Sequence, residues 1–223
     1  MNKVMMTLMT VCTMLMVVAC GGPRYVDYFP YHDDGMPKPK VAVVPLSDNS
    51  ECGLGWNFAD EATQGLYYEL MNSGQLYVLS PEEIGPAWNN RANYDFFGTE
   101  CAYAKDFCGT DFVAALELIE NSVVSYDPCT CTEITNPNVK VYTKAILTRV
   151  RVKVVDIRCQ KPRVVLFEIM KSLYPLNPGT PTDCIGDIAW GCPGYTKSVC
   201  GMAHQRMICQ IAERLEEVTR CAR

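Results

Sequence analysis

Two runs of strand-forming residues in the second half of the chain leave few folds open to it. Residues 139–157 show an apolar even face of Tyr142, Ile146, Val150, Val152 and Val154, which is the two-residue period of a strand. Residues 163–173 (RVVLFEIMKSL) return after a tight turn at Cys159-Gln160. Strands joined this closely pair antiparallel. Setting Arg158 against Lys161 places Val165, Phe167 and Ile169 opposite Val154, Val152 and Val150, and Glu168 opposite Arg151. A one-residue slip turns every side chain over, so this match of core and charge predicts one register. The apolar face of such a hairpin has to be covered by something else.

The rest of the chain supplies the cover. Residues 40–46 (KVAVVPL) are a near-continuous apolar run. That suits a central strand buried on both faces, with Pro45 near its end. Phe58, Ala59, Ala62, Leu66, Tyr67, Leu70 and Met71 recur at helical spacing over 57–72. Asn57 is a fair N-cap, Asp60 and Glu61 favour the helix N-terminus, and Ser73-Gly74 stops the helix. Residues 75–80 (QLYVLS) form the next strand, and a strand–helix–strand unit with short connections makes a right-handed crossover between parallel strands. Pro81-Glu82-Glu83 starts a short helix or turn, and Tyr94, Phe97, Cys101, Ala104 and Cys108 hint at a second helix in 91–109. A third strand is expected at 110–119, loops at 121–138 and 174–194, and a last helix at 196–219 with Val199, Ala203, Met207, Ile211, Leu215 and Val218 inward. The expected fold class is α/β, β-α-β-α-β-β-β-α, a mixed sheet with a long antiparallel hairpin packed by helices. Apolar residues at 48% and charged residues at 20% agree with a globular domain over 40–223.

Ahead of that domain lies an address. Lys3 gives a short charged start, and 4–18 is apolar apart from Thr7, Thr10 and Thr13. This is the length of a signal-peptide core and short of the roughly 20 residues a membrane-spanning helix needs. It closes in Val17-Val18-Ala19-Cys20, which resembles the bacterial lipoprotein consensus of aliphatic, small, then Cys. The resemblance implies cleavage after residue 19 and lipid, palmitate among its acyl chains, on Cys20. Gly21 stands where an Asp commonly marks inner-membrane retention, so the outer membrane is implied, with the domain facing the periplasm. Residues 20–39 read as the lipidated Cys and a flexible linker. Tyr25, Tyr28, Phe29 and Tyr31 in it rest on the membrane interface, on the domain, or on neither.

Cysteine usage agrees with an envelope location. Of 13 Cys, Cys12 leaves with the signal and Cys20 takes lipid, so an odd number remains. That density suits an oxidising compartment, and at least one thiol stays free or pairs with another chain. With the first three strands parallel, Cys52, Cys129, Cys131, Cys184 and Cys192 gather at one end of the sheet with Cys200. Cys108, Cys159 and Cys221 gather at the other. Disulfides need Cα atoms within about 7 Å, so bonds are expected within each group and not between them. Cys159 is expected to pair with Cys108 or Cys221, or to stay free. Only His32 and His204 exist and no CxxC pair occurs, so no metal is expected.

Chemistry-bearing residues are sparse. Cys200 and His204 are four apart on the last helix, but a buried or disulfide-bonded Cys and a surface His explain them more simply than a nucleophile pair. Glu117 and Glu120 have odd strand spacing and should face opposite sides. Arg149, Arg151 and Lys153 share one strand face and offer an anionic contact, or a solvated face paired with Glu168. No nucleotide, dinucleotide or hydrolase motif occurs, so no enzyme activity and no cofactor are expected. The net charge of −5 argues against a nucleic-acid partner.

The segment VAVVPLSDNS, a helix ending MNSGQLYVLSPEEI, then GTDFVAALELIE and the RVRVKVVDI–RVVLFEI hairpin resemble an envelope domain. It occurs at the N-terminus of the Tol translocation protein B, in lipoprotein activators of penicillin-binding proteins and in the curli-secretion lipoprotein. With the cysteines and the lipobox, the chain further resembles chlamydia-like envelope lipoproteins. The resemblance implies a membrane-anchored accessory or scaffold module binding another envelope protein. Its alternative is a subunit of a secretion pore, with the 139–173 hairpin as a barrel stave. Cys20→Ser should abolish lipid labelling and release the protein from membranes; labelling that survives the substitution would remove the tether from this account.

Overall fold

The computed structural model describes residues 29–50, 58–84, 86–127, 132–133, 143–177 and 194–222. Among the described residues, seven strands form one mixed sheet: β1 Lys40–Val43, β2 Ser47–Asp48, β3 Tyr77–Val78, β4 Phe112–Asp127, β5 Thr132–Glu133, β6 Thr143–Asp156 and β7 Arg163–Pro175. The order is β3-β1-β4-β6-β7, with β2 and β5 also on β4. Strands β3, β1 and β4 are parallel, and β4, β6 and β7 alternate antiparallel. Two helices, α1 (Phe58–Ser73) and α4 (Val199–Cys221), cover one face. Between β3 and β4 come two short helices, α2 (Pro81–Ile84) and α3 (Pro86–Asn90). The mixed sheet packed by helices is the α/β class the sequence implies.

Local chemistry explains the boundaries. Pro45 has no N–H, so the first run splits: β1 ends at Val43 and the chain rejoins the same neighbour as β2. Gly74 takes φ 67°, the left-handed turn that ends α1. Ser198 caps α4, its Oγ accepting from the Gly201 N–H at 3.0 Å. The helix hinted at over 91–109 does not form as one helix. The Asp95 carboxylate takes the N–H groups of Phe97 and Gly98, an Asx turn that competes with helical bonding, and only 3-10 turns at Arg91–Asn93 and Ala102–Asp106 appear. Tyr94, Phe96, Tyr103 and Phe107 still close the second face as an aromatic cluster.

Two bulges correct the expected registers. Pairing of β4 with β6 shifts between Leu118 and Glu120, leaving Ile119 as the extra residue. Beyond it β4 continues to Asp127, where a loop was expected from 121. In the hairpin, Val155↔Val164 keeps the predicted register, but the next pair is Val154↔Leu166, so Val165 is extra. From there Leu166, Glu168 and Met170 lie opposite Val154, Val152 and Val150, while Phe167 and Ile169 turn out to solvent at 58% and 56% exposure. Glu168 therefore meets Arg214 of α4 at 2.9 Å and not Arg151.

The hairpin tip is fixed to the end of α4. Asp156 is nearly buried and accepts from Arg158 Nη2 at 2.8 Å, Arg158 Nε at 3.0 Å and the Arg158 backbone N–H. The Arg158 guanidinium lies 4.6 Å from the Phe112 ring centroid and donates to the Ala222 carbonyl, where a cation suits a helix C-terminus. Its hydrogen bonds hold the Asp156 carboxyl below the usual carboxylate range. A depressed folded value stabilises the fold above the unfolded value of about 3.9, and the stabilisation disappears as pH falls through the folded value. Asp156→Asn should cost about 1.5–3 kcal/mol at neutral pH and flatten the acid limb of a denaturation series; an unchanged acid limb would show that the clamp contributes nothing.

Candidate functional site

The sheet face opposite α1 and α4 carries the three cations singled out in the sequence, and the structure places each against a partner. Lys153 is 2% exposed, donates to the Gly98 carbonyl at 2.8 Å and lies over the Tyr103 ring. Arg151 pairs with Glu117 at 2.5 Å and stacks near Phe97. Arg149 pairs with Glu120 at 2.6 Å. Glu117 and Glu120, expected on opposite faces, share this one because the Ile119 bulge resets the alternation. The solvated, Glu168-paired face expected from the sequence is not what forms: Lys153 is buried and the arginines pair with Glu117 and Glu120, so an anionic ligand would have to displace this ladder. Beside it, Phe167 lies opposite Lys153 and Ile169 opposite Arg151 on β7, the last strand in the sheet order. These two large exposed apolar side chains border charge pairs whose side chains are about a third exposed or less.

Beneath the other face lies a buried polar cluster that sequence reasoning missed. His204, expected at the surface, is wholly buried, with Glu61, Tyr195, Asn121 and Thr148 around it. Thr148 Oγ1 donates to Asn121 Oδ1 at 3.2 Å, which turns the Asn121 amide nitrogen to His204 Nε2 at 3.1 Å. Nε2 then accepts, and the network assigns the ring proton to Nδ1, facing both Glu61 oxygens at 3.2 Å and the Tyr195 hydroxyl at 2.6 Å. The Tyr195 hydroxyl donates to Glu61. Burial first, then this bond, push the Tyr195 phenol far above its ordinary range and keep it a donor. Phe58 packs on the imidazole at 4.2 Å between ring centroids. With both ring nitrogens committed, the arrangement ties α1, α4 and the β4–β6 pair together, and Cys200 on the same helix is also buried.

The helical period held the signal for this cluster. His204 lies four before Ile208 and seven before Ile211, inside the inward stripe of α4, and Glu61 sits three after Phe58 on that of α1. Two complementary ionisable groups at core positions of two helices are expected to meet.

Of the disulfide candidates, Cys108, Cys159 and Cys221 are described, and all three are exposed thiols. The Arg158–Ala222 bond puts Cys159 and Cys221 at one end of the sheet, and the Ile157 N–H bond to the Asp111 carbonyl brings the Cys108 loop there too. Cys20, Cys52, Cys129, Cys131, Cys184 and Cys192 lie outside the described residues, as does the Asn57 cap. Among the described residues no group of His, Cys, Asp and Glu is arranged to hold a metal, and no helix is long and apolar enough to cross a membrane.

This architecture defines a class: a mixed-sheet α/β domain with a crossover unit, a long hairpin and one closing helix. The chain belongs to a family of unknown function, DUF7499, whose model matches residues 27–223. Comparison with curated proteins found no match. Among solved structures, the hypothetical protein CT253 from Chlamydia trachomatis is similar at a TM-score of 0.63 and 21% identity, covering 83% of this chain and 99% of that one. It shares the fold. Protein XCC0632 from Xanthomonas campestris (0.45, 9% identity, 83% and 87% covered) and lipoprotein GNA1162 from Neisseria meningitidis (0.37, 13%, 78% and 99%) are more distant.

Gly201 is the keystone of the cluster's outer wall. A Cβ there would meet the Tyr195 backbone carbonyl oxygen at 2.0 Å, which cannot move aside as a flexible side chain could. Gly→Ala inside a helix ordinarily stabilises by about 1 kcal/mol. Gly201→Ala should instead destabilise by about 1–3 kcal/mol and displace Tyr195 from Glu61. A raised Tm would show that this approach is not needed.

Proposed function

We propose that this protein is a membrane-anchored envelope lipoprotein, tethered through lipid on Cys20, that acts as a non-catalytic accessory or scaffold module for another envelope protein. The observation that carries the reading is the β7 surface. Phe167 and Ile169 stand in solvent on β7, next to the Glu117–Arg151 and Glu120–Arg149 pairs. Large exposed apolar groups beside partly exposed charge pairs are what a protein interface draws on. The tether itself is supported by the Val17–Cys20 segment, and the outer membrane by Gly21. The rival reading, a pore subunit, needs the hairpin free to leave the domain. Val150, Val152 and Val154 packed against α4, and Glu168 bound to Arg214, weigh against that.

Crosslinking in intact envelopes followed by capture should return one discrete protein reproducibly. Phe167→Asp combined with Ile169→Asp should lose that adduct while changing stability by no more than about 0.5 kcal/mol per site. If the double variant keeps the partner, the binding surface lies elsewhere on the domain.

A further inference from the structure

Residues 30–39 form an ordered turn between the tether and the first strand. Lys38 N–H donates to the Pro30 carbonyl at 2.9 Å, His32 N–H to Met36 at 2.8 Å and Gly35 N–H to His32 at 2.9 Å, with Tyr31 and Pro37 bridged antiparallel. Gly35 supplies the φ of 80° that the turn requires, and the Asp34 carboxylate accepts from Met36 N–H. The base of the turn is seated on the domain: Lys38 and Pro39 are buried, and Tyr77 N–H donates to the Pro39 carbonyl. His32 borders a cavity of about 70 Å³ with Leu76, Glu216 and Thr219.

On this fixed turn, Phe29, Tyr31 and Met36 are 62%, 59% and 56% exposed. The sequence left open whether the linker aromatics pack on the domain; Tyr31 does not bury itself there, and neither does Met36. Phe29 follows Cys20 by nine residues, a span of at most about 32 Å even when fully extended. Lipid on Cys20 would therefore keep the turn within reach of the bilayer surface at all times.

We infer that Phe29, Tyr31 and Met36 seat in the interfacial layer of the membrane that holds Cys20, a second contact that sets how the domain stands. The inference rests on the tether proposed above. Tyrosine and other amphipathic aromatics favour the headgroup level. Asp33 and Asp34 are exposed at the tip of the same turn and would be repelled by an anionic surface, so the contact draws on the apolar side chains and is insensitive to salt. The hairpin tip and the end of α4 belong to this end of the sheet, so the opposite end points away from the bilayer.

The full-length lipidated protein, reconstituted in phosphatidylcholine vesicles, tests this. The photoreactive residue p-benzoylphenylalanine is placed at Tyr31, at Met36 or, as a control, at Phe167, and lipid adducts are read by mass spectrometry after irradiation. The expected result is several-fold more lipid adduct at 31 and 36 than at 167, unchanged at 0.5 M salt as the screening argument requires. Equal yields at all three positions, in protein that carries lipid on Cys20 and floats with the vesicles, would overturn the inference and leave the tether intact. Absence of lipid on Cys20 is read separately by mass; it removes the tether, and the inference then survives only if adducts at 31 and 36 persist.

Discussion

The antiparallel pairing of β4 with β6 is the constraint on which the rest of the domain depends. It joins the parallel half of the sheet to the hairpin, and it runs unbroken except at one bulge. Both faces use it. On one side Leu116, Leu118, Val150 and Val152 form the floor beneath α1 and α4. On the other the same strands align Glu117 and Glu120 with Arg151 and Arg149. Antiparallel strands alternate their faces strictly, so one inserted residue decides which side chains reach solvent.

That dependence explains what was legible in the sequence. The central strand starting at Lys40, the helix ending at Gly74, the hairpin and the last helix follow from period and turn chemistry, which are local properties; the break at Pro45 shortens the first of them. The register near the hairpin tip was legible too, from Asp156↔Arg163 to Val155↔Val164. The bulge at Val165 was not, because extruding one residue depends on what packs beneath: Leu166 fills the core under α4, where Val165 was expected. Residues 91–109 misled for a different reason. Their aromatics do bury together, but Asp95 captures the backbone and the segment closes the sheet without a regular helix.

The candidate surface was half legible. Arg149, Arg151 and Lys153 were identified as a face, while their acidic partners were hidden by the parity change at Ile119. Phe167 and Ile169 were assigned to the core and lie outside it. The buried cluster shows how a chain with only two histidines places one of them in its interior: every polar atom of His204 and Asn121 used in the network meets a partner on another element. Such a fully partnered cluster fixes one arrangement of the two helices over the sheet, since any sliding would strand a buried polar group.

The manner in which residues 30–39 enter the sheet has a mechanical consequence. The turn is seated at the N-terminal end of β1, and β1 lies between two parallel neighbours, β3 and β4. A pull arriving from the N-terminal side therefore acts along the axis of an interior strand. Its ladder bonds lie across that axis and are strained together, in shear, and are not opened one after another from an edge. A pull on β7 would peel the sheet bond by bond; a pull through residues 30–39 is shared by the centre of the fold.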